Sequence, residues 1–453
     1  MAVVSVVKLS ELEGAKRIDA EYYQPEYLKL ESFIKQTKSY KLWGNIEGHF
    51  ITGPFGSEFK VENYVTDSPY RYVRGRDVKE FFLLDDENVY IPKKDFERLK
   101  KYSLQEGYIL ISVVGTLGNT AIVDKDVPPA IFSCKSTAYI AEGINPFYLI
   151  AYLNCRYGKD LLKRRVRGAV QTGLNIDDLK YLPIYLPDKK VQGKVAQLVN
   201  ESKLFYDKSK SLYTQAENLL LEDLGLKDFK PKYELFYTAN LSQAFGVHRV
   251  DAEYFQPMYE EIEEHLTKNF ETLPIKKIRY IDVTTGQYTE NYVSKEEGKP
   301  YIRGTDISNG TINTDSLLYI SPEDQIESKK AKEGDVVVTR VGTIGLSARI
   351  PKECEGGTIS DNLIRIRIFD EGKLNSYYLA LYLGSSIGVS LMIKNSRGSV
   401  QQRLNQETLK EVIIPLLPSE TQQKIAELVK QSHKTRRGAK ELLEEAKEKL
   451  KRQ

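Results

Sequence analysis

Three stretches of this 453-residue chain hold residues that could do chemistry. RIDAEYYQPEY (17–27) gathers Arg17, Asp19, Glu21, Tyr22 and Tyr23, a cation, two carboxylates and two phenols that could serve acid–base work. Asn145-Pro146-Phe147-Tyr148 is one proline short of the N-P-P-Y signature of adenine methyltransferases. Glu297-Gly298-Lys299 has the E-x-K form of some nuclease sites. The tetrapeptide has no Gly-rich cofactor loop after a strand, so Asn-Pro reads as a helix cap. The E-x-K string has no paired Asp on an upstream strand. No G-x-x-x-x-G-K-[ST] phosphate loop exists, which excludes an ATP-driven motor. Cys134, Cys155 and Cys354 lie far apart and the four histidines are scattered, so zinc spacing is missing and free thiols in a reducing cytoplasm are expected.

RIDAEYYQPEY also occurs twice, returning as RVDAEYFQPMY at 249–259. Further pairs follow in the same order. Tyr72-Val73-Arg74-Gly75-Arg76-Asp77-Val78 answers to Tyr301-Ile302-Arg303-Gly304-Thr305-Asp306-Ile307, and EGYILISVVGTLG (106–118) to EGDVVVTRVGTIG (333–345). Arg167-Gly168, Val170-Gln171 and Leu174-Asn175 answer to Arg397-Gly398, Val400-Gln401 and Leu404-Asn405; KVAQLV (194–199) answers to KIAELV (424–429). Five anchors in one order mean a tandem duplication, which sets the fold. A segment kept in both copies frames each half; it does not mark one active site.

Each half predicts the same elements. A short helix opens at Pro25 and at Pro257, where a missing N–H costs nothing. Its apolar face is Tyr27, Leu30 and Ile34, then Tyr259, Ile262 and Leu266. Strands and Gly- or Asp-rich turns follow, with YILISVVGTLG as a buried strand. A second helix is capped by Asn145 or Asn375, and the apolar runs LPIYLP and VIIPLLP close the halves. From Val191 a seam steps by 4 and 3 through Val195, Leu198, Ser202, Phe205, Ser209, Leu212, Ala216 and Leu219. The second copy runs through Thr421, Ile425, Leu428, Ser432, Thr435, Ala439, Leu442 and Ala446. That 3.5-residue repeat belongs to helices wound around each other, and small residues recur at matched places. The expected fold is α+β: two α/β heads and two long helices paired as an antiparallel coiled coil with pseudo-twofold symmetry. Roughly 32 residues make each helix a rod of about 48 Å, a ruler between the heads.

Length and bulk composition agree with two to four soluble domains, at 41% hydrophobic and 28% charged residues. No window approaches a membrane span, and the N-terminus lacks the pattern of a signal peptide, so a cytoplasmic protein is expected. With 66 basic against 63 acidic residues the net charge is +3, too balanced to announce nucleic acid. It also argues against an acidic DNA mimic.

The R-G-x-D segment, G-T-x-G after a strand, the R-G-x-V-Q-x-x-L-N loop and the LP run into a Q-x-K-I-A helix, each doubled in order, resemble the specificity subunit of type I restriction–modification enzymes over nearly the whole chain. One departure is Val191-Gln192-Gly193-Lys194 against Thr421-Gln422-Gln423-Lys424, which touches only the helix start. The resemblance implies target-recognition domains at 1–187 and 226–418, with spacer helices at 188–225 and 419–453. It implies a non-catalytic reader of an asymmetric, two-part double-stranded DNA target. Two methyltransferase subunits would dock on it and two restriction/translocase subunits could join, with no membrane involved. No cofactor is expected on this chain; S-adenosylmethionine, ATP and Mg would sit on the partners. The alternatives are a related restriction or phage-defence methyltransferase system, and a coiled-coil adaptor without DNA binding.

Candidate DNA contacts follow from residue type, since Arg pairs with guanine, Asn or Gln with adenine, and Lys or Arg with phosphate. The first half offers Arg71, Arg74, Arg76 and Lys79; the second offers Arg303, Thr305 and Arg340. Arg74 and Arg303 could equally pair with Asp77 and Asp306 to serve the shared fold. Unshared residues, Arg76 against Thr305 and Arg340 against Val113, suit sequence reading better. The densest basic cluster is Lys163, Arg164, Arg165 and Arg167, with Lys394, Arg397 and Arg403 opposite, for phosphate, an acidic partner or solvent. Gly53-Pro54-Phe55-Gly56-Ser57 reads as an exposed turn whose counterpart, near Thr285-Gly286-Gln287-Tyr288-Thr289, differs, as recognition loops should. Inserting one heptad after Phe205 and one after Thr435 should widen the gap between half-sites and leave both half-sites intact. Methylation mapping that found changed half-sites with the old gap would refute the ruler.

Overall fold

The computed structural model describes residues 4–10, 12, 17–54, 58–85, 88–168, 172–229, 232–308, 310–398 and 402–451. The chain divides into two compact units, Met1–Phe205 with Arg437–Gln453, and Tyr206–Arg436. Val170-Gln171 and Val400-Gln401 of the repeated loop, and Phe55, Gly56 and Ser57 of the exposed turn, lie outside the described residues.

In the first unit a five-stranded sheet has the order Gly48–Thr52, Ser136–Ala141, Ile109–Ser112, Thr120–Ile122, Phe81–Phe82. A three-stranded sheet orders Val89–Tyr90, Arg71–Val73 and Ala130–Phe132, the last two parallel. Ile109, Leu110 and Ile111 are fully buried, as a continuous apolar run requires. The second unit repeats the plan. Its four-stranded sheet runs Ile281–Thr285, Leu363–Ile368, Val336–Thr339, Ser347–Arg349, and its three-stranded sheet Leu318–Ile320, Lys299–Ile302, Thr358–Ile359. The closing apolar runs become the strands Pro183–Tyr185 and Ile413–Pro415, paired antiparallel with Tyr40–Leu42 and Thr272–Pro274.

The predicted caps are present. Asn145 Oδ1 accepts from Phe147 N at 2.9 Å and Asn375 Oδ1 from Tyr377 N at 2.9 Å, so the Asn-Pro of the first copy opens a helix. Pro25 and Pro257 start the helices Pro25–Gln36 and Pro257–Asn269. The duplicated Arg-x-Asp ahead of them also has a structural task. Arg17 is clamped by Asp19 and donates from Nη1 to Arg165 O at 3.1 Å and from Nη2 to Val166 O at 2.7 Å. Arg249, clamped by Asp251, donates to Lys394 O at 3.2 Å and Ser396 O at 2.7 Å. Both guanidiniums thus satisfy the orphan carbonyls at a helix C-terminus, where a cation also complements the helix dipole.

The long helices are Lys189–Asp223 and Ser419–Lys451. Within the first unit Ser202 Oγ donates to Ala439 O at 2.8 Å, and a Cβ on Gly438 would stand 3.0 Å from Phe205. Within the second, Ser432 Oγ donates to Ser209 O at 2.7 Å and Arg436 lies 5.3 Å from the Tyr206 ring. In each unit the two segments therefore pass in opposite directions. Ser202, Ser209, Ala216, Ser432, Ala439 and Ala446 are buried, as the seam predicts. Phe205 differs: it is 44% exposed. Its ring lies over Gly438 of the facing segment, where the missing side chain leaves room for it at the edge of the seam. Toward the helix ends burial favours Val199 and Leu220 over Leu198 and Leu219, because there the helices pack into the unit cores. Among the described residues no single helix is long and apolar enough to cross a membrane.

Two predictions follow from this packing. Ser209→Leu should overpack the seam and cost about 1–3 kcal/mol in denaturant unfolding, whereas Lys208→Leu, on the exposed face, should not. His433 Nε2 is buried without a hydrogen-bond partner among the described residues, and burial, with the charges of Arg436 and Arg349, holds its pKa down at about 4. The unfolded chain then binds the extra proton first. Stability from this group is complete above its ordinary pKa and is lost as pH falls from about 6.5 to about 4, by about 3 kcal/mol. His433→Leu should flatten that slope in pH-dependent unfolding.

Candidate nucleic-acid interface

A β-turn follows one edge strand of each three-stranded sheet, Ala130–Phe132 or Thr358–Ile359, the strand that runs parallel to the central one. In the first unit Ser133 N donates to Val73 O at 3.0 Å and Ser136 N to Ser133 O at 3.0 Å, leaving Cys134 and Lys135 at the two corners. In the second, Ser360 N donates to Ile302 O at 2.8 Å and Leu363 N to Ser360 O at 3.0 Å, with Asp361 and Asn362 at the corners. Gly53 and Gly286 pass beside these turns so closely that a Cβ would stand 2.4 Å from Ser133 O and 2.1 Å from Ser360 O. Only glycine fits there.

Two more loops converge on the turn. Val113 N donates to Lys135 O at 2.9 Å, and Leu174 N donates to Val113 O at 3.1 Å. Arg340 N donates to Asn362 O at 3.1 Å, and Leu404 N to Arg340 O at 2.9 Å. The repeated basic loop is a hairpin closed by reciprocal bonds, Arg167 with Gly173 at 2.9 and 2.8 Å, and Arg397 with Arg403 at 2.9 and 2.8 Å. G-T-x-G is the tip of the neighbouring hairpin. Its glycines take positive φ, 85° and 81° at Gly115 and Gly118, 77° and 92° at Gly342 and Gly345, which side chains rarely adopt.

The R-G-x-D segment is a 3₁₀ turn built on a buried carboxylate. Asp77 accepts from Arg74 N at 2.8 Å and from Arg74 Nη2 at 2.8 Å; Asp306 accepts from Arg303 N at 2.8 Å and Arg303 Nη2 at 3.0 Å. The pairing alternative is therefore the one realised, since carboxylates this deeply buried require charged donors.

Several other candidates are likewise engaged inside the fold. Arg71 is 1% exposed, donates to Leu84 O and lies 3.7 Å from Asp85; burial lowers its pKa. Arg164 and Arg165 are buried on Glu31, Arg164 over the Tyr22 ring at 4.2 Å. Burial opposes ionisation of Glu31, but Arg165, Arg164 and Lys35 outweigh it and hold the carboxyl below its ordinary pKa. Lys394 repeats the pairing with Glu263 at 2.6 Å. The basic cluster predicted for phosphate thus has a helix-packing core. Arg340 turns back onto Leu404 O and Asp361 O, both at 3.1 Å, so the residue proposed to read sequence fastens two loops.

What remains at the surface is Arg76, Lys79, Lys163 and Arg167 in the first unit, and Thr305, Arg397 and Arg403 in the second. Arg167 is bidentate to Asp178, at 2.6 Å on each oxygen. Asp178 is replaced by Thr408 in the second copy, and Arg397 has no ion-pair partner among the described residues. Sequence reasoning missed the turn corners. Their signal was available: Ser133 and Ser360 share the G-T-x-G offset of 227 residues, so Lys135 and Asn362 occupy one position.

A family model described as the type I restriction modification DNA specificity domain matches residues 59–201 and 268–448. The chain is 29% identical over 141 residues to the type I restriction enzyme EcoBI specificity subunit of Escherichia coli, covering 30% of this chain and 29% of that one. It is 24% identical over 373 residues to a chain named as the type I restriction enzyme MjaX specificity subunit of Methanocaldococcus jannaschii, covering 78% and 79%. Among solved structures, the type I restriction–modification S subunit from M. genitalium aligns over 91% of this chain and 95% of that one, at 14% identity and a TM-score of 0.42. The HsdS subunit from Thermoanaerobacter tengcongensis aligns over 91% and 95%, at 15% identity and a TM-score of 0.30.

The buried pairs and the exposed cations separate by mutation. Arg74→Ala removes the guanidinium from a buried Asp77 and should destabilise the first unit by about 1.5–3 kcal/mol in denaturant unfolding. Arg76→Ala, at a side chain 56% exposed, should stay within about 0.5 kcal/mol of wild type.

Proposed function

Since the chain belongs to the type I restriction–modification DNA specificity family, we propose that it reads an asymmetric, two-part double-stranded DNA target, one part per unit, and brings methyltransferase subunits to it. The observation that carries this is the pair of loop clusters: the same backbone bonds hold them in both units, while the exposed side chains on them differ. Duplicated frames with unlike surfaces suit two half-sites of unlike sequence. The exposed cation that both copies keep, Arg167 on one unit and Arg397 on the other, supplies phosphate contacts that fix register, while Arg76 against Thr305 is left to sequence reading.

In this reading the chain performs no catalytic step and works in the cytoplasm. S-adenosylmethionine binds to the methyltransferase partners, and ATP and Mg serve restriction and translocase subunits when these join. Calorimetric titration of the isolated chain with S-adenosylmethionine should give no heat of binding; tight binding would show an enzyme instead. Binding of the chain, assembled with its methyltransferase partner, to its DNA target should weaken by roughly 10³-fold or more between 50 and 200 mM salt if six or more phosphates are neutralised. A complex without DNA affinity at low salt would favour the protein-adaptor alternative. Arg397→Ala should lower affinity uniformly across DNA sequences and reduce the salt slope by about one, because its guanidinium is not held by a carboxylate as Arg167 is.

A further inference from the structure

We infer that the second corner of the shared β-turn is a base-reading position: Lys135 contacts O6 and N7 of a guanine in the major groove, and Asn362 contacts N6 and N7 of an adenine. The inference rests on the DNA-reading function proposed above and names what each unit reads at one place.

Both residues occupy the same node of the frame. The carbonyl of each accepts from the peptide N–H of the residue after the central strand, Val113 or Arg340, and the turn is closed by Ser133 or Ser360. The backbone at this node is therefore fixed twice over, while the side chain is left to vary. Both side chains are exposed, and neither has a hydrogen-bond or ion-pair partner among the described residues. Space has been cleared at the root of Lys135: a Cβ on Gly75 would stand 2.9 Å from Lys135 Cβ. Arg76, the next residue, is exposed beside it.

Charge separates base reading from phosphate contact. Every half-site offers the same phosphates, so a phosphate-contacting node duplicated with the fold would keep a cation in both copies. Here one copy has an ammonium and the other a neutral amide, the two groups that pair with guanine and with adenine. Arg340, by contrast, is tied to two carbonyls and cannot leave them without loosening the frame.

The test is selection of a randomised double-stranded DNA pool by the full chain assembled with its methyltransferase partner, followed by sequencing. Lys135→Ala should relax one guanine in one half-site and Asn362→Ala one adenine in the other, each with a roughly 5- to 150-fold loss of discrimination. Lys135→Asn should change that guanine preference toward adenine and leave the other half-site untouched, while Lys135→Arg should retain guanine. Circular dichroism of each variant guards against misfolding, and retention of guanine by Lys135→Arg keeps the outcome readable if Lys135→Ala folds poorly. Unchanged base preferences in both alanine variants, with affinity lowered evenly and a shallower salt slope, would make these phosphate contacts and overturn the inference. A wild-type complex that enriches no motif would instead remove the DNA-reading premise, and the assignment with it.

Discussion

The backbone of one residue in each unit holds the candidate interface together. The N–H of Val113 reaches the corner of the β-turn and its carbonyl reaches the base of the basic hairpin; Arg340 does the same in the second unit. These bonds join three loops that the sequence places far apart, at residues 113, 135 and 174. Loops are where side chains can vary, yet a reader must hold them rigidly enough to meet base edges. Backbone bonds solve that conflict because they do not depend on which side chain is present. The close passage of Gly53 and Gly286 adds a steric stop on the fourth side. Diversity at the corners is then compatible with one fold.

Charge is distributed in two layers. The inner layer consists of arginines and a lysine that satisfy carboxylates and backbone carbonyls: Arg17, Arg71, Arg74, Arg164 and Arg165 in the first unit, Arg249, Arg303 and Lys394 in the second. Removing one partner from such a pair leaves a buried charge uncompensated, which is why these positions are structural. The outer layer is smaller and differs between the units. A net charge of +3 conceals this separation, because most cations of the inner layer are neutralised where they stand.

Much of the fold was legible because duplication prints the same instruction twice. The Asn caps, the helix-opening prolines, the buried strand at 109–112 and the small residues of the helical seam all followed from spacing and residue type. The site was less legible. Arg71, Arg164 and Arg165 are the residue types that grip DNA, but their burial depends on Leu84, Asp85 and Glu31, distant partners that no local pattern reveals. Phe205 fell on the heptad yet stays 44% exposed over Gly438, since seven-residue spacing fixes a helical face without fixing how near the facing axis comes. Lys135 and Asn362 went unnoticed because the motif around them is a single shared serine.

The split between shared and unshared residues has a physical basis that extends past this chain's details. Where a side chain holds a frame that both units share, the copies keep the same chemistry: an Asp at 77 and 306, an Arg at 17 and 249, a Gly at 53 and 286; Arg340, opposite Val113, fastens its loops in one unit alone. Where the backbone alone holds the fold, the side chain is released from that demand and the copies diverge. Divergence by itself would equally describe neutral surface drift. What distinguishes the turn corners is that they diverge where the backbone is held both by its own turn and by a bond from the neighbouring strand end, where drift has no structural reason to be confined and recognition has much to gain. Rigid presentation of a variable group lowers the ordering cost of binding and converts a change of side chain directly into a change of preference.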